Sequence, residues 1–172
     1  MDPLIDIGQI APDFQLYDLG GNLHSLADLR GQIVVLNFWS AECEWCERVD
    51  HELLACLDTW QDEVIVLWLA SNTSESHDLI GQVAAERKLP IVLVDPQQQV
   101  ADMYGAQTTP HFFVLDSQGS LRYQGAWDDI TFRQRVATRV YLREAVEALR
   151  QNITPEITET PPYGCSIVRF SA

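Results

Sequence analysis

Basic residues are scarce in this chain. Eleven Lys and Arg stand against 25 Asp and Glu, for a formal net charge of −14. Phosphate contacts need clustered cations, so this balance argues against nucleic-acid binding and against an anionic membrane surface. Acidity of this kind mostly serves solubility. Long apolar runs are missing as well: no stretch approaches the roughly 18 residues of a membrane-spanning helix. The opening "MDPLIDIGQIAPDF" has neither the basic segment nor the apolar run of a signal peptide. With Met1 read as the natural start, the expected setting is cytoplasmic. Cysteine is sparse at four, too few to scaffold a mini-domain with disulfides. Internal repeats and low-complexity segments are also absent.

What is present is a globular composition, 47% hydrophobic and 9% aromatic over 172 residues, enough for one domain with a sizeable core. Residues 13–25 read as two short strands joined through the turn "DLGG". "GQIVVLNFW" (31–39) is a strand buried on both faces, and "EVIVLWLA" (63–70) and "IVLVD" (91–95) are two more. Val49, Leu53, Leu57 and Trp60 recur at helical spacing after the first of these, and 74–87 reads as a helix ended by Pro90. A short helical turn follows in "QQQVADMYG", then "HFFVLD" and "LRYQGAW" flank "SQG" as a hairpin. Residues 129–150 read as helical with a break near 137–140, and 151–172 as a non-helical tail. This order implies a mixed sheet with helices on both faces.

The chemistry sits in "FWSAECEWCER" (38–48), where a strand runs straight into C-x-x-C and the pair opens a helix. That arrangement places the Cys43 sulfur at a helix N-terminus, where free backbone N–H groups and the macrodipole stabilise a thiolate. Cys46 lies one turn along and faces inward. Cys43 is therefore the candidate nucleophile and Cys46 the resolving thiol, joined through a mixed disulfide with substrate. The reading requires the Cys43 sulfur to be reachable.

"VVLNFWSAECEWC" resembles the thioredoxin superfamily, specifically its TlpA/ResA-like and AhpC/TSA-related (peroxiredoxin-like) thiol–disulfide oxidoreductases. "APDFQLYDLGGNLHSLADLRGQ" is similar to their N-terminal hairpin, and "TTPHFFVLDSQGSLRYQG" to their cis-proline strand and following hairpin. The resemblance implies a thioredoxin-like three-layer α/β/α sandwich with a mixed central sheet, an N-terminal β-hairpin extension and an irregular C-terminal tail. Residues 1–150 would form the redoxin domain, with 151–172 packed on it as a tail. The same resemblance implies a cis Pro110 against the disulfide and a Thr109 backbone that pairs with the substrate chain. It implies no cofactor, protein or small-molecule disulfides as substrates, and a reducing partner such as a thioredoxin system.

Two departures from the family pattern stand out. Asn37 occupies the position of a buried thioredoxin aspartate and cannot take a proton from Cys46, so a water or nearby carboxylate must serve. Trp45 fills the slot that often holds proline; with Trp39 it offers apolar surface for substrate, or it packs on its own domain. Glu42, Glu44 and Glu47 surround the pair. A carboxylate near the sulfur costs a thiolate about 0.5–2 kcal/mol, so Glu42 and Glu44 are expected to keep the Cys43 pKa from falling far and to make the couple a reductant. Asp50, Asp58 and Asp62 read as a solvated helix face.

Cys56 is expected to be a small core residue. The ending "TPPYGCSIVRF" resembles the C-terminal GCSI signature of a peroxiredoxin-like subgroup, and an extended fifteen-residue tail can reach ~50 Å. Cys165 is then either a third redox thiol or a passive residue in a turn. Two rival functions remain. A peroxidase using Cys43 would need a Pro-x-x-x-Thr/Ser-x-x-Cys frame, of which Ser40 supplies the hydroxyl while Leu36 replaces the proline, and an arginine, for which Arg122 is the candidate. A zinc-binding or structural C-x-x-C would need a second ligand pair, whereas His24, His51, His77 and His111 are scattered singly. The expected function is a cytoplasmic thiol–disulfide oxidoreductase serving redox homeostasis.

Overall fold

A run of Ile, Val, Leu and aromatic residues, interrupted only by Asn37, makes Ile33–Trp39 an interior strand, with all seven residues buried. The structure, a computed structural model, describes residues 4–169. In chain order its elements are β1 (Gln15–Asp18), β2 (Leu23–Ser25), β3 (Ile33–Trp39), α1 (Glu44–Trp60), β4 (Val64–Ala70), α2 (His77–Arg87), β5 (Val92–Val94), α3 (Gln99–Tyr104), β6 (Thr108–Thr109), β7 (His111–Leu115), β8 (Leu121–Gly125), α4 (Tyr141–Arg150) and β9 (Cys165–Ser166). Seven strands form one sheet in the order β2-β1-β5-β4-β3-β7-β8. Strands β3, β4 and β5 run parallel, while β7, β8, β1 and β2 are added antiparallel. The expected mixed sheet and both hairpins are present.

Strand alternation divides the core. Ile33, Val35 and Trp39 face α1, α2 and α4, whereas Val34, Leu36 and Phe38 face α3, Leu26 and the N-terminal segment. The two covers are unequal: three helices lie on one side, one short helix and coil on the other. Helix α2 starts where Ser76 Oγ accepts the Leu79 N–H at 3.1 Å and ends at Lys88 in the left-handed region. Among the described residues no helix is long and apolar enough to cross a membrane.

The C-terminal helix is shorter than its sequence pattern. It begins at Tyr141, and residues 129–140 are loop. Side chains have taken the backbone donors that a helix would use. Asp128 accepts from Ile130 N, Asp129 from Thr138 N and Arg139 N, and Thr131 from Arg133 N and Gln134 N. Such local bonds compete with helix formation. Phe132 and Val136, read as one helix face, are 72% and 76% exposed.

The tail is not helical, and it is tied down along its length. Gln124 N donates to Thr158 O and Thr160 N to Gln124 O, both at 3.0 Å, so the segment runs beside β8. Gly125 permits this approach: a Cβ there would lie 2.2 Å from Thr160 Oγ1. The tail then crosses the C-terminal end of β3. Strand β9 pairs antiparallel with β6, Thr109 opposite Cys165. Beyond it Val168 N donates to Asn72 Oδ1 at 2.8 Å, and Arg169 Nε lies 3.2 Å from Asp102.

Candidate active site

Four segments meet around one sulfur: the start of α1, the turn before it, β6 and the tail. Cys43 is the N-cap residue of α1, with extended φ and ψ of −84° and 120°, as a strand-to-helix junction requires. Glu75 fixes the turn before it. Its carboxylate accepts the Ser40 hydroxyl and the Ala41 N–H, the latter at 2.9 Å. Nothing in the sequence pattern singled out Glu75; it reaches the site from the loop ahead of α2.

The sulfur, expected to be reachable, is instead covered. Cys43 is only 3% exposed, and the cover is the protein's own edge and tail. Cys43 Sγ lies 3.1 Å from the Thr109 carbonyl oxygen and 2.7 Å from Cys165 Sγ. The thiol is depressed to about 4. The leading cause is a hydrogen bond from the Cys46 thiol; burial opposes it, and the Cys165 thiol and the Cys46 backbone N–H reinforce it. The helix N-terminus favours the same charge. Glu42 and Glu44, expected to oppose the thiolate, are exposed and are not among the causes acting on Cys43. Glu44 acts instead on Cys165, whose thiol burial, the Cys43 sulfur and Glu44 push up to about 12.

Cys46 is fully buried, and burial pushes its thiol well above the usual range, helped by the Cys43 charge and by Asp50. Asp50 corrects the reading of α1 as acidic and solvated on that side. It is 1% exposed and accepts Trp39 Nε1 at 2.8 Å, Trp68 Nε1 at 2.9 Å and Arg87 Nη1 at 3.0 Å. Burial raises its carboxyl despite these donors. The signal was available: position 50 is four residues past Cys46, on the same inward face.

The remaining expected residues divide. Pro110 follows a cis peptide bond from Thr109. The Thr109 edge expected to pair with substrate pairs with Cys165 of the same chain. Trp45 is half-buried and packs edge-on against Tyr163 of the tail, ring centroids 5.0 Å apart. Trp39 is 0% exposed and bonded to Asp50, so it belongs to the core beneath the site and not to a docking surface. Asn37 is equally buried, and neither its Oδ1 nor its Nδ2 has a hydrogen-bond partner. It lies on the α1 side of β3 by alternation with Val35 and Trp39. Cys56 is half-buried against the core, not within it.

The rival frames are not assembled around Cys43. Ser40 is held by Glu75, and Arg122 sits at the end of β8 away from Pro110, bonded to Thr154 at 3.1 Å. Among the described residues no group of three or more His, Cys, Asp or Glu is placed to hold a metal ion. His111 is buried and neutral, its Nδ1 accepting the Gln107 N–H at 3.2 Å.

Comparison with known proteins places the chain in a family and a fold. The AhpC/TSA family model matches residues 7–124. A thiol–disulfide oxidoreductase, ResA, of Geobacillus thermodenitrificans is 34% identical over 119 residues, 69% of this chain and 68% of the relative. An uncharacterized conserved protein of Geobacillus kaustophilus superposes with a TM-score of 0.89 at 27% identity, covering 98% of this chain and 94% of its own. The thioredoxin domain of a Bacteroides vulgatus thiol–disulfide oxidoreductase gives 0.64 at 23% identity, over 70% of this chain and 88% of its own. The fold is thioredoxin-like.

Proposed function

The chain belongs to the AhpC/TSA family, and from that premise we propose that it is a thiol–disulfide oxidoreductase that reduces disulfides through Cys43 and Cys46. The observation that carries this reading is the unequal pair at the tip of α1. Cys43 is a thiolate at neutral pH, stabilised first by the thiol of Cys46. Cys46 stays protonated until it is needed. A thiolate attacks a substrate disulfide, so the reduced protein is the armed species. The reactive species is thus the reduced pair, which is the direction proposed here. The low Cys43 thiol also stabilises that reduced form and shifts the couple towards the oxidising end, the reverse of the expectation drawn from Glu42 and Glu44.

In the first step the Cys43 thiolate attacks one sulfur of the substrate disulfide, and the other leaves as a thiolate. The resulting mixed disulfide is then broken by a second protein thiol attacking Cys43 Sγ, with its proton going to the departing substrate sulfur. Asp50 is the carboxylate on the inner side of the pair, the place where Asn37 offers no proton acceptor. Substrate disulfides and a dithiol that restores the reduced pair complete the cycle. A thioredoxin-type protein as that dithiol, and a cytoplasmic setting, belong to the proposal.

The test is turnover of hydroxyethyl disulfide and of insulin with dithiothreitol as the final reductant. Wild type turns over, and Cys43→Ser is inactive. Equal turnover by Cys43→Ser overturns the reading.

A further inference from the structure

The groove expected to receive a substrate strand is filled by residues 163–166 of the chain itself. Three contacts make this a fitted strand. Thr109 pairs with Cys165 in antiparallel register. Gly164 brings the backbone so close that a Cβ there would lie 2.0 Å from the Thr109 carbonyl oxygen. Tyr163 covers the ring of Trp45. Strand pairing and side-chain contacts that would serve a bound polypeptide are thus made internally. The register also puts a sulfur where a substrate sulfur would be, 2.7 Å from Cys43 Sγ. A disulfide bond is about 2.05 Å long, so closing one requires a shift well under 1 Å.

We propose that Cys165 is a second resolving thiol of this site, closing a Cys43–Cys165 disulfide from the tail in competition with Cys46. The proposal rests on the function above, because it takes Cys43 to be the nucleophile. Cys43 first attacks a substrate disulfide, forming one mixed disulfide and releasing one substrate thiolate. Cys165 then attacks Cys43 Sγ; the Cys43–substrate bond breaks, the Cys43–Cys165 bond forms, and the Cys165 proton goes to the departing sulfur. Substrate gains two electrons and the protein loses two. Attack of Cys46 on Cys43 afterwards moves the bond to Cys43–Cys46 and frees Cys165 without further oxidation.

The two resolving thiols differ in access. Cys46 has no exposed surface, and burial is the leading cause that holds its proton. Cys165 is half-buried. Two of the three largest causes holding its proton, after burial, come from the Cys43 sulfur. That charge is gone once Cys43 is in a mixed disulfide, so Cys165 becomes easier to ionise at the moment it is required. The tail must leave the groove to admit a substrate strand and return to it to resolve. Its footing there is the two-residue ladder, extended by Ile167 N to Gln107 O and by the bonds of Val168 to Asn72, Thr73 and Gln98, all of which must release for the tail to leave.

The test uses full-length Cys46→Ser and Cys46→Ser/Cys165→Ser, reduced and then treated with hydroxyethyl disulfide. Trypsin cleaves after Arg30, Arg48, Arg150 and Arg169, releasing Cys43 in peptide 31–48 and Cys165 in peptide 151–169. The single variant is expected to lose its hydroxyethyl adduct at least about tenfold faster than the double variant and to yield the two peptides joined. Wild type quenched in acid at partial oxidation should yield the same joined pair. An adduct equally long-lived in both variants, with no joined peptides, overturns this proposal and leaves the Cys43 function standing. Absence of any adduct on Cys43 overturns both.

Discussion

Arg87 and Asp50 form an ion pair 3.0 Å long on the inner side of α1, with the carboxylate sealed from solvent. The pair joins α2 to the helix that carries the cysteines. Removing one partner of a buried pair leaves an uncompensated charge, which costs about 3–5 kcal/mol. Asp50→Ala should fall in that range by urea denaturation. Asp50→Asn keeps one acceptor for an indole and should cost less. In both variants the Cys46 thiol pKa falls, because the Asp50 charge is among the causes that raise it. Ultraviolet thiolate titration of a Cys43→Ser background reads that shift, and an unchanged titration counts against it.

The Cys43 thiol carries a pH signature. Its folded value of about 4 lies below the reference of 9.0. A depressed acid contributes stability that is complete above its unfolded value and is lost as pH falls through its folded value. Reduced wild type should therefore lose stability relative to Cys43→Ser as pH drops from 9 to 4. Cys46→Ala removes the largest stabilising contact and should move the thiolate titration upward; Cys165→Ala should move it in the same direction by less. Thiolate absorbance against pH measures both.

His111 has the opposite chemistry and the same acid consequence. Burial lowers it from 6.5 to about 3, so the folded state refuses a proton that the unfolded chain accepts. Stability attributable to His111 is complete above 6.5 and fades as pH falls towards 3. His111→Phe, which keeps the stacking on Phe113, should flatten the melting temperature against pH in that interval.

Gly164 packs its backbone against the Thr109 carbonyl beside the cysteine site. Gly164→Ala places a methyl group 2.0 Å from the Thr109 carbonyl, and overpacking of this kind costs about 1–3 kcal/mol. The tail should lift while the sheet stays folded. Cys43 alkylation by N-ethylmaleimide should rise about tenfold relative to wild type, against a local opening cost of that size. Alkylation at the wild-type rate would show that the tail does not shield the sulfur.

Much of this was legible in the sequence because the signals were local. The run from Val34 to Trp39 followed at once by C-x-x-C specifies a strand, a cap and a helix within a dozen residues, and Thr109-Pro110 before "HFFVLD" specifies the strand that meets it. Asp50 was misread because the segment 42–63 is rich in acidic residues, although its neighbours along the helix are Cys46 and Leu53. The loop 129–140 was misread because Asp129 and Thr131 look neutral in a helix count yet bond the very N–H groups a helix would need. The course of the tail had no local signal. Tyr163 meets Trp45, Cys165 meets Cys43 and Arg169 meets Asp102 across most of the chain's length.

The tail has one more effect, at the far side of the sheet from the first hairpin. Strand β8 ends the seven-strand order, and an outermost strand offers free N–H and C=O groups to any other chain. Residues 158–160 cap Gln124, and Gly125 makes room for them. A chain truncated after Arg150 would bare that rim, and stacking of one molecule on the next, visible as light scattering at high concentration, is the expected result.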